Sequence, residues 1–247
     1  DDSFVESLPA ETALGILGSI PDLGIPYEQL GEAVPELAGI VELLALLDGP
    51  LGLGIIDSGG SLLGQLLGAP VDFVLTVGSE DPEALASSVL DLVSGQLELP
   101  IGGFQEEPTD DGTLYALTVP FLGDVAALAT SPDAVTIAGS REGALGEGPL
   151  LMDTEEWSSA IDALGEDASI MLWLDPERLA NLDLGLLLDG LAGFADLGGG
   201  DVALPDVDLD LGEIAGVFDH DAIRAVVAGG SSDGQTTSME VVVLVDW

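Results

Sequence analysis

The residues best suited to chemistry in this chain are carboxylates. Glu106-Glu107, Asp110-Asp111 and Glu155-Glu156 are adjacent acid pairs. A glycoside hydrolase draws its acid and its base or nucleophile from two such groups. Sugar clefts also use aromatic platforms, and aromatic residues make up only 4 % of the chain. Glycosidase chemistry is therefore not expected.

A second carboxylate array is Asp206, Asp208 and Asp210, within DVDLDLGE. It has part of the spacing of a calcium loop. Gly212 stands one place late, and Val217 occupies the twelfth position, where a bidentate glutamate belongs. Val207, Leu209 and Leu211 alternate with the aspartates, which reads as a strand with one carboxylate face. Such a face is expected to bind calcium loosely, within one chain or between chains. Calcium is the one cofactor expected, and these three aspartates are the metal site.

Inventory closes most other mechanisms. The three basic residues are all arginine (Arg141, Arg178 and Arg224). Without lysine there is neither a Walker loop nor a Schiff-base nucleophile. With one histidine and no cysteine, zinc sites of the His/Cys type cannot form. A Ser-His-Asp triad would need His220, which sits in FDHD and reads as an exposed turn residue. No nucleophile elbow of the Gly-x-Ser-x-Gly type occurs. The glycine clusters at 198–200 and 230–234 read as loops. The chain is expected not to be an enzyme and to have no catalytic residues.

The positioning elements centre on 71–95, VDFVLTVGSEDPEALASSVLDLVSG. Val71, Phe73, Leu75 and Val77 share one face at period two, which is a strand. Ser79 or Asp81 caps the following helix, and Pro82 fits its first turn. Leu85, Val89, Leu92 and Val93 recur at helical spacing. Shorter strands are expected at 13–17 and 52–56, and leucine-rich helices at 27–47, 61–67 and 182–194. An acidic loop is expected at 106–112, a strand at 113–121, and a hairpin at 124–140 turning on Ser131-Pro132-Asp133. A helix capped by Thr154, a strand at 168–174 and a helix opening on Asp175-Pro176-Glu177 follow. Segments 222–228 and 239–245 read as a terminal hairpin. Trp157 and Trp173 are the expected core anchors.

The succession LPAET, VDFVLTVGSEDPEAL, GTLYALTVPF, SPDAVTIAGSREGAL and SIMLWLDPERL resembles a large family of exported or membrane-tethered bacterial proteins. That family is known only as a domain of unknown function. The resemblance implies a location and a style of fold and assigns no catalytic residue. The chain begins Asp1-Asp2-Ser3, and the expectation is a processed end from which a signal or anchor segment was removed.

Charge bounds the partners. Forty-six acidic residues against three basic ones give a net charge of −43. A folded chain of 25.1 kDa exposes on the order of 10,000 Å². Net charges then lie about 15 Å apart, against a Debye length of about 8 Å at physiological ionic strength and about 3 Å in molar salt. Brine or divalent cations suit this surface. Nucleic acid and anionic membranes would be repelled.

The expected fold is α+β, mainly antiparallel sheet packed with leucine-rich helices, in two related halves at 1–148 and 149–247 or one continuous domain. The expected function is that of a non-enzymatic exported protein, at the cell surface or extracellular. Its role would be structural or interaction-mediating, and its partners copies of itself or another surface protein. The alternative is a module that carries an apolar ligand in a leucine-lined cavity between helices and sheet.

Overall fold

A computed structural model of the chain describes residues 8–19, 49–56, 71–96, 103–119, 123–164, 170–181, 223–232 and 237–245. Strands β1 (Thr12–Ser19), β2 (Pro50–Ile56) and β3 (Asp72–Gly78) are followed by helix α1 (Pro82–Gln96). Then come β4 (Phe104–Pro108), β5 (Thr113–Val119), β6 (Gly123–Thr130) and β7 (Ala134–Ala138). Helix α2 (Arg141–Ala144), a 3-10 turn (Leu151–Asp153) and helix α3 (Glu155–Leu164) lead to β8 (Ile170–Leu174). Helix α4 (Pro176–Asn181), β9 (Ile223–Ser232) and β10 (Thr237–Val245) complete the described elements.

All ten strands join one antiparallel sheet, in the order β10-β9-β8-β1-β2-β3-β7-β6-β5-β4. This corrects the expected α+β packing of sheet with leucine-rich helices. The described chain is mostly a single large sheet, and its helices are few and short. The leucine-rich segments at 27–47, 61–67 and 182–194 lie outside the described residues. The physical reason lies in the strands, which carry apolar residues on both faces. In register across the sheet run Val241, Ala228, Leu172, Ile16, Leu53, Leu75, Ile137 and Leu128 on one face. On the other face, Val242, Val227, Trp173, Val74, Ala138 and Ala127 share the neighbouring row. Lateral strand pairing thus organises the apolar content of the described residues, and the helices only cover parts of the two faces. The sheet also runs unbroken across 148/149, since β8 pairs with β1.

The helices divide between the two faces. On the first, Leu85, Ala86 and Val89 of α1 pack on Val77, Leu128 and Val135. Leu179 of α4 packs with Ala13, Val71 and Ile55. On the second face, α3 lays Trp157, Ala160 and Leu164 against Trp173, Ala225 and Val227. Leu8 and Leu151 join this cluster, tied by a Leu151 amide donating to the Leu8 carbonyl at 2.7 Å. Gly54 on β2 leaves room for Leu8, because a Cβ there would come within 3.0 Å of its Cδ2. Each fully buried aliphatic side chain of this kind contributes about 1.5–3 kcal/mol.

Capping follows the sequence. The Asp81 carboxylate accepts from the Ala84 amide at 3.1 Å. The Thr154 hydroxyl accepts from the Trp157 amide at 3.2 Å, and Asp175 accepts from the Arg178 amide at 3.0 Å. Each satisfies an amide that the first helical turn leaves unpaired.

Candidate functional site: an aliphatic sheet face and an open strand edge

The first face of the sheet is covered at its β6–β7 side by α1 and near Ile55 by α4. Between and beyond them, aliphatic side chains reach the surface. Val241 is 51 % exposed, Val243 45 %, Val245 39 % and Ile16 38 %. Val241 and Ile16 belong to one register row, with Ala228 and Leu172 between them. Alternation explains the division of β10. Val242 and Leu244 point to the second face and pack on the cluster of Trp157 and Trp173, which leaves the odd-numbered valines outward.

β10 is also one edge of the sheet. It has nine residues, with Glu240 as its only charged side chain. The opposite edge, β4, has five residues and carries Glu106, Glu107 and Pro108. Charges, proline and shortness are the usual protections of an edge strand. β4 has all three, and β10 has one acid.

Behind β4 lies the most strongly bonded polar cluster among the described residues. Ser140 caps α2 by accepting from the Gly143 amide at 3.1 Å, which fixes Arg141 at the first helical position. The guanidinium donates from Nη1 and Nη2 to the two oxygens of Glu107, each at 2.7 Å. Its Nε donates to Asp124 Oδ2. Asp124 also accepts from the Thr118 hydroxyl at 2.6 Å. Arg141 therefore reaches across β5 to tie the edge strand β4 to β6. The bidentate Arg141 contact holds the Glu107 carboxyl below the usual carboxylate range. The Thr118 hydroxyl first, and then Arg141, lower that of Asp124. Both carboxylates are held ionised by these donors, so neither is poised to transfer a proton near neutrality. The cluster is a clamp.

Beside it a cavity of about 410 Å³ is lined by Asp110, Asp111 and Glu147, with Thr130, Ser131 and Thr136. Ala129, Ala144 and Leu145 supply an apolar part of the lining, which contains no histidine, cysteine or arginine.

The structure separates the acid pairs. Glu106 and Glu107 lie on β4 rather than in a loop and project to opposite faces of it. Asp110 and Asp111 occupy the β4–β5 turn and are exposed. Glu155 is exposed, while Glu156 meets Arg224 at 3.2 Å. Asp206, Asp208, Asp210 and His220 lie outside the described residues. Among the described residues, no group of three or more His, Cys, Asp or Glu side chains could hold a metal ion. The sequence pattern gives Arg141 no role, and the clamp emerges only in the structure. The available signal was charge: with three cations in the chain, each arginine is a natural carboxylate anchor. The fold also buries a carboxylate, that of Asp72 on β3. It is 6 % exposed and accepts from the Phe73 and Gly139 amides at 2.8 and 3.1 Å.

No protein-family model and no curated protein matches the chain. Three crystal forms of TP0453 are distantly similar in structure. Form III has a TM-score of 0.44 at 9 % identity, covering 97 % of this chain and 78 % of that one. Form I has a TM-score of 0.43 at 8 % identity, over 98 % and 78 %. Form IV has a TM-score of 0.44 at 7 % identity, over 97 % and 79 %. Similarity at this level assigns neither activity nor partner. Among the described residues, no helix is long and apolar enough to cross a membrane.

Proposed function

We propose that this protein is a non-enzymatic exported interaction module of the cell surface or extracellular space. Its contact surface is the aliphatic sheet face around Val241, Val243 and Ile16. One observation carries the reading: these side chains are 38–51 % exposed on a chain with a net charge of −43. Contiguous apolar surface on a folded protein marks contact with other molecules, and here it stands against an acidic background. Salt or divalent cations neutralise the remaining surface, while nucleic acid and anionic lipid are repelled. Export rests on the resemblance of the sequence to exported and membrane-tethered bacterial proteins.

The test uses Nile red, a neutral probe that the protein's charge does not repel. Fluorescence of the probe with the folded chain in molar sodium chloride is expected to rise and shift to the blue. Val241→Asp/Val243→Asp, which leaves the core untouched, is expected to remove most of that signal. A wild-type chain that leaves Nile red unchanged would show the face to be covered and would overturn the reading.

A further inference from the structure

We infer that two copies of this chain pair through β10, antiparallel and in register about Val241, to form one twenty-stranded sheet. The inference rests on the reading of the protein as an interaction module and names a partner for the β10 edge, beside the aliphatic face.

The first support is the asymmetry of the two edges. β4 is short and guarded by acids and a proline, whereas β10 is nine residues long and nearly uncharged. Among the described residues, none pairs with the outer edge of β10. The outward amides and carbonyls of β10, without a strand partner among the described residues, form a template for another strand, and antiparallel addition continues the pattern of the whole sheet.

The second support is the pattern of the strand itself, which favours a copy over an unrelated peptide. A two-fold axis requires the strand to face its own reverse. Val241 is the middle residue of Thr237–Val245, so pairing about it uses all nine residues of each copy. In that register Val241 faces Val241, Val243 faces Met239, and Glu240 faces Val242. The single acid of the strand thus opposes an aliphatic residue. Moving the axis to Glu240 would set carboxylate against carboxylate, which is unfavourable. The register also places the exposed valines of both copies side by side, doubling the aliphatic face without burying it.

The global charge opposes association. Two chains of −43 repel each other in dilute salt, and that repulsion is screened within a few ångströms in molar salt. Pairing is therefore a high-salt property.

The chain has no cysteine, so one introduced thiol is a clean reporter. In molar sodium chloride, light scattering is expected to give about twice the 25.1 kDa chain mass, and single-chain mass at low salt. Val241→Asp places two carboxylates opposite each other and is expected to weaken association at least about tenfold. Val241→Cys is expected to form a disulfide dimer on mild oxidation, since directly opposed strand residues lie within disulfide reach. Val243→Cys is not, because the two copies of that position would be on the order of 13 Å apart along the strands. A wild-type monomer in molar salt would overturn the inference. A dimer indifferent to Val241→Asp, or equal cross-linking at both cysteines, would overturn this site. Nile red binding by a chain that stays monomeric would leave the contact face standing and remove only its self-pairing. Failure of the probe to bind would remove the face itself.

Discussion

Replacing Trp173 by Phe tests the junction on which the sheet turns. Trp173 is 3 % exposed on β8, opposite Gly15 of β1 and Val227 of β9. Its ring lies 5.6 Å from that of Trp157, tilted by 50°. Its indole Nε1 donates to the Thr12 carbonyl at 3.1 Å, and Thr12 is itself 1 % exposed. Phenylalanine removes about 40 Å³ of side chain, and at about 24 cal/mol per Å³ the cavity costs about 1 kcal/mol. It also leaves a buried carbonyl without that donor, which costs about 1–3 kcal/mol. The expected loss is about 2–4 kcal/mol, measured by urea denaturation in molar sodium chloride. Trp157→Phe is the control, because it shrinks a ring in the same cluster without breaking the bond to Thr12. It is expected to cost about 1 kcal/mol. Equal losses in the two variants would refute the hydrogen-bond argument. A loss under about 0.5 kcal/mol at Trp173 would refute the packing argument as well.

At Gly112, a Cβ would meet the Thr130 carbonyl oxygen at 2.1 Å. Gly112→Ala is expected to cost about 2–3 kcal/mol by overpacking, whereas Gly103→Ala, with open space around it, should be neutral or slightly stabilising; thermal melts of the two variants decide this. The carboxyls of Glu107 and Asp124 titrate below their ordinary values of 4.5 and 3.8. Their stabilising contribution is therefore complete above about pH 4.5 and is lost as the pH falls through the lowered values. Between pH 7 and pH 3 the denaturation midpoint of the wild type is expected to fall more, or rise less, than that of Arg141→Met, because only the wild type loses the clamp while both lose carboxylate repulsion; equal changes would dismiss the clamp. Spread over 14499 Å², the net charges stand on the order of 18 Å apart, so raising sodium chloride from 0.05 to 2 M should stabilise the monomer by about 2 kcal/mol or more. A Val241→Asp chain, held monomeric, is the sample for that measurement, and insensitivity to salt would contradict it.

The local elements were legible because their causes are local. Proline at a first turn, a capping aspartate or threonine, and a Ser-Pro-Asp turn act within a few residues. The strands around 72–78, 113–119 and 124–140 and the helices after Asp81, Thr154 and Asp175 accordingly lie where the sequence puts them. The net charge, and the chemistry it and the missing lysine and cysteine exclude, also need no coordinates. The layer structure was not legible. Strands apolar on both faces lose the alternation that marks a half-buried strand, so periodicity does not show what covers each face. Which strands neighbour each other was hidden as well, because β8 meets β1 across more than 150 residues. Arg141 could be counted from sequence, yet only the folding of β4 against β5 and β6 brings Glu107 and Asp124 to it. The same holds for Val241 and Val243. Composition makes them apolar and periodicity makes them a strand. That they end on the edge strand of the described sheet, facing outward, follows from the order in which its strands pair, and that order is set by long-range contacts rather than by any one segment.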